Sequence, residues 1–213
     1  MSETVLYDYW RSSASYRLRI ALGLLTEPYR KVAVDLLKHE QKSAEHLGRN
    51  PQGLVPVLDI DGQRLTQSLA IIEYLDETRP AGFLPKNALG RERVRALSYA
   101  IAMEIHPVCN LRVMSELMTL SGDTDEIRRD WMRKFIGEGL AAFERLLDDP
   151  QTGLFCHGDR PTMADICLIP QLYNARRWDV DLSGLYRILQ IEKSCKLLPA
   201  FVDAYPRSPD TER

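Results

Sequence analysis

Short apolar runs open the chain and long periodic ones close it. Val5-Leu6-Tyr7-Asp8-Tyr9 is β-branched and aromatic and predicts a strand. Ser12-Ser13-Ala14-Ser15 follows, rich in N-cap side chains, and a helical run from Tyr16 to Leu25 ends at Glu27-Pro28. Tyr29 to Val34 predicts a second strand, and the polar stretch Lys38 to Arg49 a short helix or irregular backbone. Asn50-Pro51-Gln52-Gly53 is a turn signal. Val55 to Ile60 predicts a third strand, Asp61-Gly62 a hairpin turn and Gln63 to Leu65 its partner. Ser68 caps a helix running to about Thr78, with Ile71, Ile72 and Leu75 at helical spacing and Pro80 as its stop. Residues 1–80 therefore order as β-α-β-α-β-β-α, a right-handed parallel unit extended by an antiparallel hairpin.

After residue 80 the pattern changes. Residues 81–88 read as a linker, and no strand pattern recurs beyond them. Val94, Leu97, Ile101, Ile105 and Val108 lie on one helical stripe. Arg112 continues that stripe, seven residues beyond Ile105 and four beyond Val108. Thr124-Asp125 opens another helix, which carries Trp131, Phe135, Leu140, Phe143 and Leu147 and ends near Pro150. Thr162-Met163-Ala164-Asp165 is a capping box with Asp where Glu or Gln is usual, and it opens a helix to about Ala175. A last helix runs roughly from Tyr186 to Leu197. Residues 89–213 are thus expected to form an all-α domain, giving a fold class of α/β plus all-α.

Composition narrows the partners. The 213 residues carry 28 Lys plus Arg and 30 Asp plus Glu, for a net charge of −2. Both halves are balanced, with 10 basic and 11 acidic residues before position 81 and 18 and 19 after it. Nucleic acid and anionic membranes need a basic footprint, so neither is expected as a partner. No apolar run is long enough to span a bilayer and no basic-then-apolar leader opens the sequence. Cys109, Cys156, Cys167 and Cys195 have no ligand-like spacing, so no metal site is expected. Scattered thiols at this length point to a reduced, cytoplasmic protein.

Three short motifs carry chemistry. Arg11-Ser12-Ser13-Ala14-Ser15 sits at a strand-to-helix junction, where free backbone N–H groups and the positive helix end face outward. Plain capping uses one serine, and further hydroxyls can donate to an anion such as a thiolate. Leu54-Val55-Pro56-Val57 places proline at the mouth of a strand. A cis Val55–Pro56 bond would leave the N–H and C=O of Val55 to face a ligand, pairing with extended peptide as an added strand would. Gln67-Ser68 opens the third helix, and Ser68 can cap it or bind a carboxylate. Together these suit a tripeptide with a carboxylate at one end and a thiol at the other.

The same residues carry a family likeness. Ser12 to Leu22 resembles the fingerprint of zeta-class cytosolic glutathione transferases, as do Gln67 to Leu75, Thr162 to Asp165 with Pro170-Gln171, and Val180-Asp181-Leu182. The resemblance implies a thioredoxin-like first domain and glutathione as cofactor. It also implies a homodimer, and a maleyl dicarboxylate as substrate. Zeta enzymes include maleylacetoacetate isomerases of tyrosine and phenylalanine catabolism and bacterial maleylpyruvate isomerases. Their chemistry is thiolate addition, bond rotation and elimination. Conjugating transferases and transferase-like interaction modules share the fold and stand as alternatives. Motif by motif, the likeness implies glutathione contacts at Ser12, Ser13, Ala14, Ser15, Tyr16, Arg17, Val55, Gln67 and Ser68, with His39 and Gln41 both open in the loop after strand two. Ser12, then Ser13, is expected at the sulfur. Ile105 to Arg112 resembles the substrate-side segment, which adds His106, Asn110 and Arg112 to the expected glutathione contacts. Arg11, Arg112, Arg176 and Arg177 are expected to meet substrate carboxylates, with Arg11 and Arg176 nearest the chemistry. Ala14 departs from the Cys often found at its position, so the loop holds no thiol of its own.

Overall fold

The computed structural model describes residues 3–122 and 124–208, which divide into two compact units. Residues 3–83 form the first together with 198–208, and residues 84–197 form the second.

The first unit follows the predicted order. Its elements are β1 (Val5–Asp8), α1 (Ser13–Leu24), β2 (Arg30–Ala33), a 3-10 turn (Glu40–Lys42), α2 (Ala44–Arg49), β3 (Val57–Ile60), β4 (Gln63–Thr66) and α3 (Ser68–Thr78). The sheet runs β2-β1-β3-β4, parallel between β1 and β2 and antiparallel elsewhere. This is the thioredoxin-like arrangement, with the hairpin closing one side. Central strand β1 is buried along most of its length, and Leu6, Val57 and Leu58 are sealed from solvent. Helix α1 buries Leu18, Ile20, Ala21 and Leu22 and packs against α3, which buries Ile71, Ile72 and Leu75.

The chain's last described stretch belongs here too, whereas the sequence pattern assigned everything after residue 88 to the helical domain. Helix α10 (Pro199–Asp203) packs on α1. Phe201 is 3% exposed, the Tyr16 hydroxyl donates to its carbonyl at 3.4 Å, and Arg19 Nε donates to Ala204 O at 3.0 Å. A Cβ on Gly23 would stand 3.2 Å from Ala200 Cβ, so the close helix approach uses the missing side chain. The first unit also runs past the expected boundary at 80, because Phe83 is buried and its N–H donates to Asp76 Oδ1 at 2.6 Å.

The second unit is helical apart from a bridge between Thr152 and Gly158. Helix α4 (Ala88–Tyr99) runs on through a π-helical stretch (Ala100–Ile105) into a last turn, α5 (His106–Val108). After it come α6 (Leu111–Ser121), α7 (Asp125–Leu146), α8 (Met163–Arg177) and α9 (Tyr186–Lys196). Val94, Leu97, Ile101 and Ile105 are buried, as their stripe requires. Arg112 does not continue it. The helix ends at Cys109, and Asn110 caps a new one, its Oδ1 accepting from Val113 N at 2.9 Å. That break resets the register and leaves Arg112 exposed on α6. The expected capping box is present: Asp165 Oδ2 accepts from the N–H and hydroxyl of Thr162, both at 2.8 Å. Among the described residues no helix is long and apolar enough to cross a membrane.

Candidate functional site

Strand register decides which loops meet. Tyr7 near the end of β1 pairs with Val57 at the start of β3, and Val57 pairs with Thr66 at the end of β4. Asp8, the last residue of β1, is level with Ala33, the last of β2. The segments that follow β1, β2 and β4, and the one that precedes β3, therefore lie at one edge of the sheet. Those segments hold Ser12 to Ser15, His39 and Gln41, Gln67-Ser68, and Val55. Most of the expected glutathione residues of this unit, far apart in sequence, gather at that edge.

Ser12 is the N-cap of α1. Its N–H donates to Tyr9 O at 2.9 Å and its Oγ accepts from Ser15 N at 3.2 Å. With the oxygen used as an acceptor, its hydroxyl proton stays available for donation, beside the positive end of a 12-residue helix. Ser13 and Ala14 are half-buried in the first turn, and Ser15 is fully buried. Arg11 stands against aromatic faces, its guanidinium carbon 5.4 Å from the Trp10 ring centre and 6.0 Å from that of Tyr9.

Across the edge, the Val55–Pro56 bond is cis and β3 begins only at Val57. The approach to Val55 is fixed at Leu54, whose carbonyl accepts from Asn50 Nδ2 at 2.9 Å and meets His46 Nε2 at 3.0 Å. His39 is exposed with φ +58, whereas Gln41 is 9% exposed and its Oε1 is unpaired among the described residues.

Helix α3 begins in strained geometry. Gln67 holds φ +68 and ψ 105, a conformation that costs a side-chain-bearing residue about 1–3 kcal/mol. Its carbonyl accepts from Ile71 N at 3.0 Å and its Nε2 donates to Gln52 Oε1 at 2.7 Å, but its side chain caps nothing. Sequence reasoning missed this strain; a Gln followed by a good cap carries no signal for it. Ser68 is 6% exposed and its Oγ accepts from Arg17 Nη1 at 3.2 Å.

Two of the expected contacts lie deeper than the motif suggests. Tyr16 is 1% exposed, its hydroxyl bonded to the Phe201 carbonyl, so its ring supports α1 from the core. Arg17 is 3% exposed, and its Nη1 donates to Ser68 Oγ at 3.2 Å.

The remaining expected residues belong to the second unit. Asn110 is the cap of α6, and half-buried His106 opens α5. Arg176 Nη2 donates to Glu192 Oε2 at 2.6 Å, which binds one side of its guanidinium to a carboxylate of its own domain. Arg177 stacks 5.1 Å from the Trp178 ring centre, and Arg112 is exposed.

The four cysteines are buried. Burial pushes the Cys109 thiol up to about 12 and raises those of Cys156 and Cys195 well above the ordinary range. A thiol so placed is no nucleophile at neutral pH. The edge of the first unit is furnished to receive a sulfur anion and a carboxylate, and its donors fit a thiol tripeptide brought from outside.

Residues 2–77 match the family of glutathione S-transferase N-terminal domains and residues 125–207 that of glutathione S-transferase C-terminal domains. Maleylacetoacetate isomerase of Rhizobium meliloti (strain 1021) is 66% identical over 206 residues, or 96% of this chain and 97% of that protein. A holo structure of a maleyl pyruvate isomerase, a bacterial glutathione S-transferase of the zeta class, superposes with a TM-score of 0.93. It is 43% identical and covers 97% of this chain and 99% of its own. Maleylacetoacetate isomerase from Methylobacterium extorquens AM1, solved with malonate and glutathione bound, gives a TM-score of 0.92 at 37% identity over 97% of this chain and 98% of its own.

Proposed function

The chain belongs to the glutathione S-transferase family, and from that premise we propose that it is a zeta-class, glutathione-dependent cis–trans isomerase acting on maleylacetoacetate. The observation that carries this reading is the gathering of Ser12, Val55 and Gln67-Ser68 at one end of the sheet. Bound glutathione supplies a thiolate that adds to the conjugated double bond of the substrate, frees rotation about it and departs with the bond in the trans form.

The protein's own residues make that sulfur an anion and hold the ligands. Ser12 keeps an O–H to donate to it, and the N-terminus of α1 favours the charged form. Ser13 is the second hydroxyl at that turn. The main chain of Val55 pairs with the tripeptide backbone, while Gln67 and Ser68 hold a carboxylate. Gln41, with its buried and unpaired Oε1, is the better of the two residues in the loop after β2. Arg11 supplies a cation beside the serines, and Arg112 and Arg177 supply others for the dicarboxylate. Arg176 is steadied by Glu192.

Work in the cytoplasm as a pair of identical chains in aromatic amino acid catabolism completes the proposal. The scattered spacing of the four cysteines supports a reducing compartment, and the exposed Tyr99 and Met103 on one helical run support a partner copy. A specific observation favours a second reading: the superposition on a maleyl pyruvate isomerase at a TM-score of 0.93. The deciding experiment measures glutathione-dependent isomerisation of maleylacetoacetate and maleylpyruvate side by side. Turnover of neither, with glutathione present, overturns the proposal.

A further inference from the structure

We infer that Arg17 is a positioning residue for glutathione: it holds the Ser68 hydroxyl as an outward donor for a glutathione carboxylate, through their buried hydrogen bond. The inference rests on the function proposed above and concerns how its first helix serves its third.

Ser68 is the first residue of α3, an 11-residue helix. The N-cap Gln67 gives that helix no side-chain cap, so its leading N–H groups have no acceptor from that side chain. Such an end attracts a carboxylate, but a serine hydroxyl beside it can serve in either of two ways. It can turn back and donate inward, or it can donate to the ligand. Arg17 settles the choice. A guanidinium is donor-only, so at 3.2 Å from Nη1 the Ser68 oxygen must accept. Its single proton is then directed elsewhere, and donation from a cationic partner polarises the O–H into a better donor. Arg17 is 3% exposed and Ser68 6%, so little water competes for either role. Lys would give a point charge in place of a planar fork, which makes the residue type part of the device.

The test is a double-variant cycle read by calorimetric titration of the intact chain with glutathione. Ser68→Ala and Arg17→Gln are each expected to weaken binding about tenfold, the scale of one charge-assisted hydrogen bond. The variant carrying both is expected within about twofold of Ser68→Ala alone, because Arg17 acts through Ser68. The KM for glutathione should rise by the same factor in each variant, tying the loss to glutathione binding. Should Arg17→Gln fail to fold, Arg17→Lys takes its place in the same cycle, with an expected loss of about threefold that again disappears on Ser68→Ala. Losses that multiply in the double variant overturn the inference, as does parent-like affinity in the folded Arg17 variant. A Ser68→Ala chain that binds as well as its parent overturns it too. A parent chain that does not bind glutathione at all overturns the proposed function and this inference with it, and only that result touches both.

Discussion

One oxygen of Ser12 serves two masters, and the two roles can be separated. As N-cap it accepts from Ser15 N, a role worth about 1 kcal/mol of stability. In the proposed role as thiolate partner it would donate its proton, and one hydrogen bond to a charged group is worth about 1.5–3 kcal/mol, or roughly 10–100-fold in rate. Ser12→Asp keeps a cap acceptor but sets a second anion beside the sulfur. Its melting temperature should stay near the parent's while kcat falls at least as far as in Ser12→Ala. Ser12→Ala should lose both stability and rate, and parent-like turnover in it would remove Ser12 from the sulfur. The chain's own thiols should be spectators. With Cys109 pushed up to about 12 and the other three equally buried, iodoacetamide at neutral pH should leave the native protein unlabelled and active. Mass spectrometry after unfolding should count all four labels. At this scale much was legible, since serine hydroxyls at a helix start announce themselves in sequence. The depth of Tyr16 and Arg17 was not, because a motif gives spacing along the chain and says nothing of which way a side chain turns.

Helix ends show the same contrast between local and remote causes. The Thr162–Asp165 box and the Asp61-Gly62 turn are local, and both were readable. The start of α9 at Tyr186 was readable but its cap was not, because the cap comes from another helix: Glu144 on α7 accepts from Arg187 N at 2.9 Å and Ile188 N at 3.0 Å. Glu144→Ala leaves those N–H groups without an acceptor, and its melting temperature should fall by about 4–8 °C, corresponding to roughly 2 kcal/mol. Helix α6 escaped the sequence reading for a related reason: Asn110 both ends one apolar stripe and begins the next, and a stripe read straight through it puts Arg112 on the wrong face. In the first unit, Arg79 ties the β3–β4 turn to the end of α1, bonding Asp61 at 2.9 Å and Glu27 at 3.1 Å. Hydrogen bonds from Arg79, and then from Tyr74, hold the Asp61 carboxyl below its ordinary range, as Arg64 holds that of Asp59. A carboxyl lowered in the folded state contributes stability that is present above its unfolded value, about 4, and is lost as pH falls through the folded value. Melting temperature should therefore drop as pH is lowered from about 6 to about 3, and Arg79→Gln should flatten part of that drop.

At the scale of the whole molecule, fold and family were legible almost from end to end, because motifs from Ser12 to Leu182 agree with one another. The exception is the tail, which α1 recruits through Arg19 and Tyr16 across more than 180 positions of sequence, beyond the reach of any local pattern. Substrate choice lies at this scale as well. Maleylacetoacetate and maleylpyruvate share the cis double bond, the activating ketone and a dianionic character, so neither the thiolate site nor a count of arginines separates them. Identity weighs toward the first, at 66% against 43%. We therefore expect kcat/KM for maleylacetoacetate to exceed that for maleylpyruvate by about tenfold or more, since the extra carbon unit gains at most a few kcal/mol in a fitted pocket. The arginines set the other axis of the same measurement. If Arg112 and Arg177 hold carboxylates, replacing either by Ala should raise KM for both substrates while leaving calorimetric glutathione affinity unchanged. Arg176→Ala, which removes one of the two cations paired with the buried Glu192 and leaves Lys196 as the other, should lower melting temperature more than it raises KM. A large KM effect at Arg176 with none at Arg112 and Arg177 would move the dicarboxylate site onto Arg176 and make Glu192 the group that orients it.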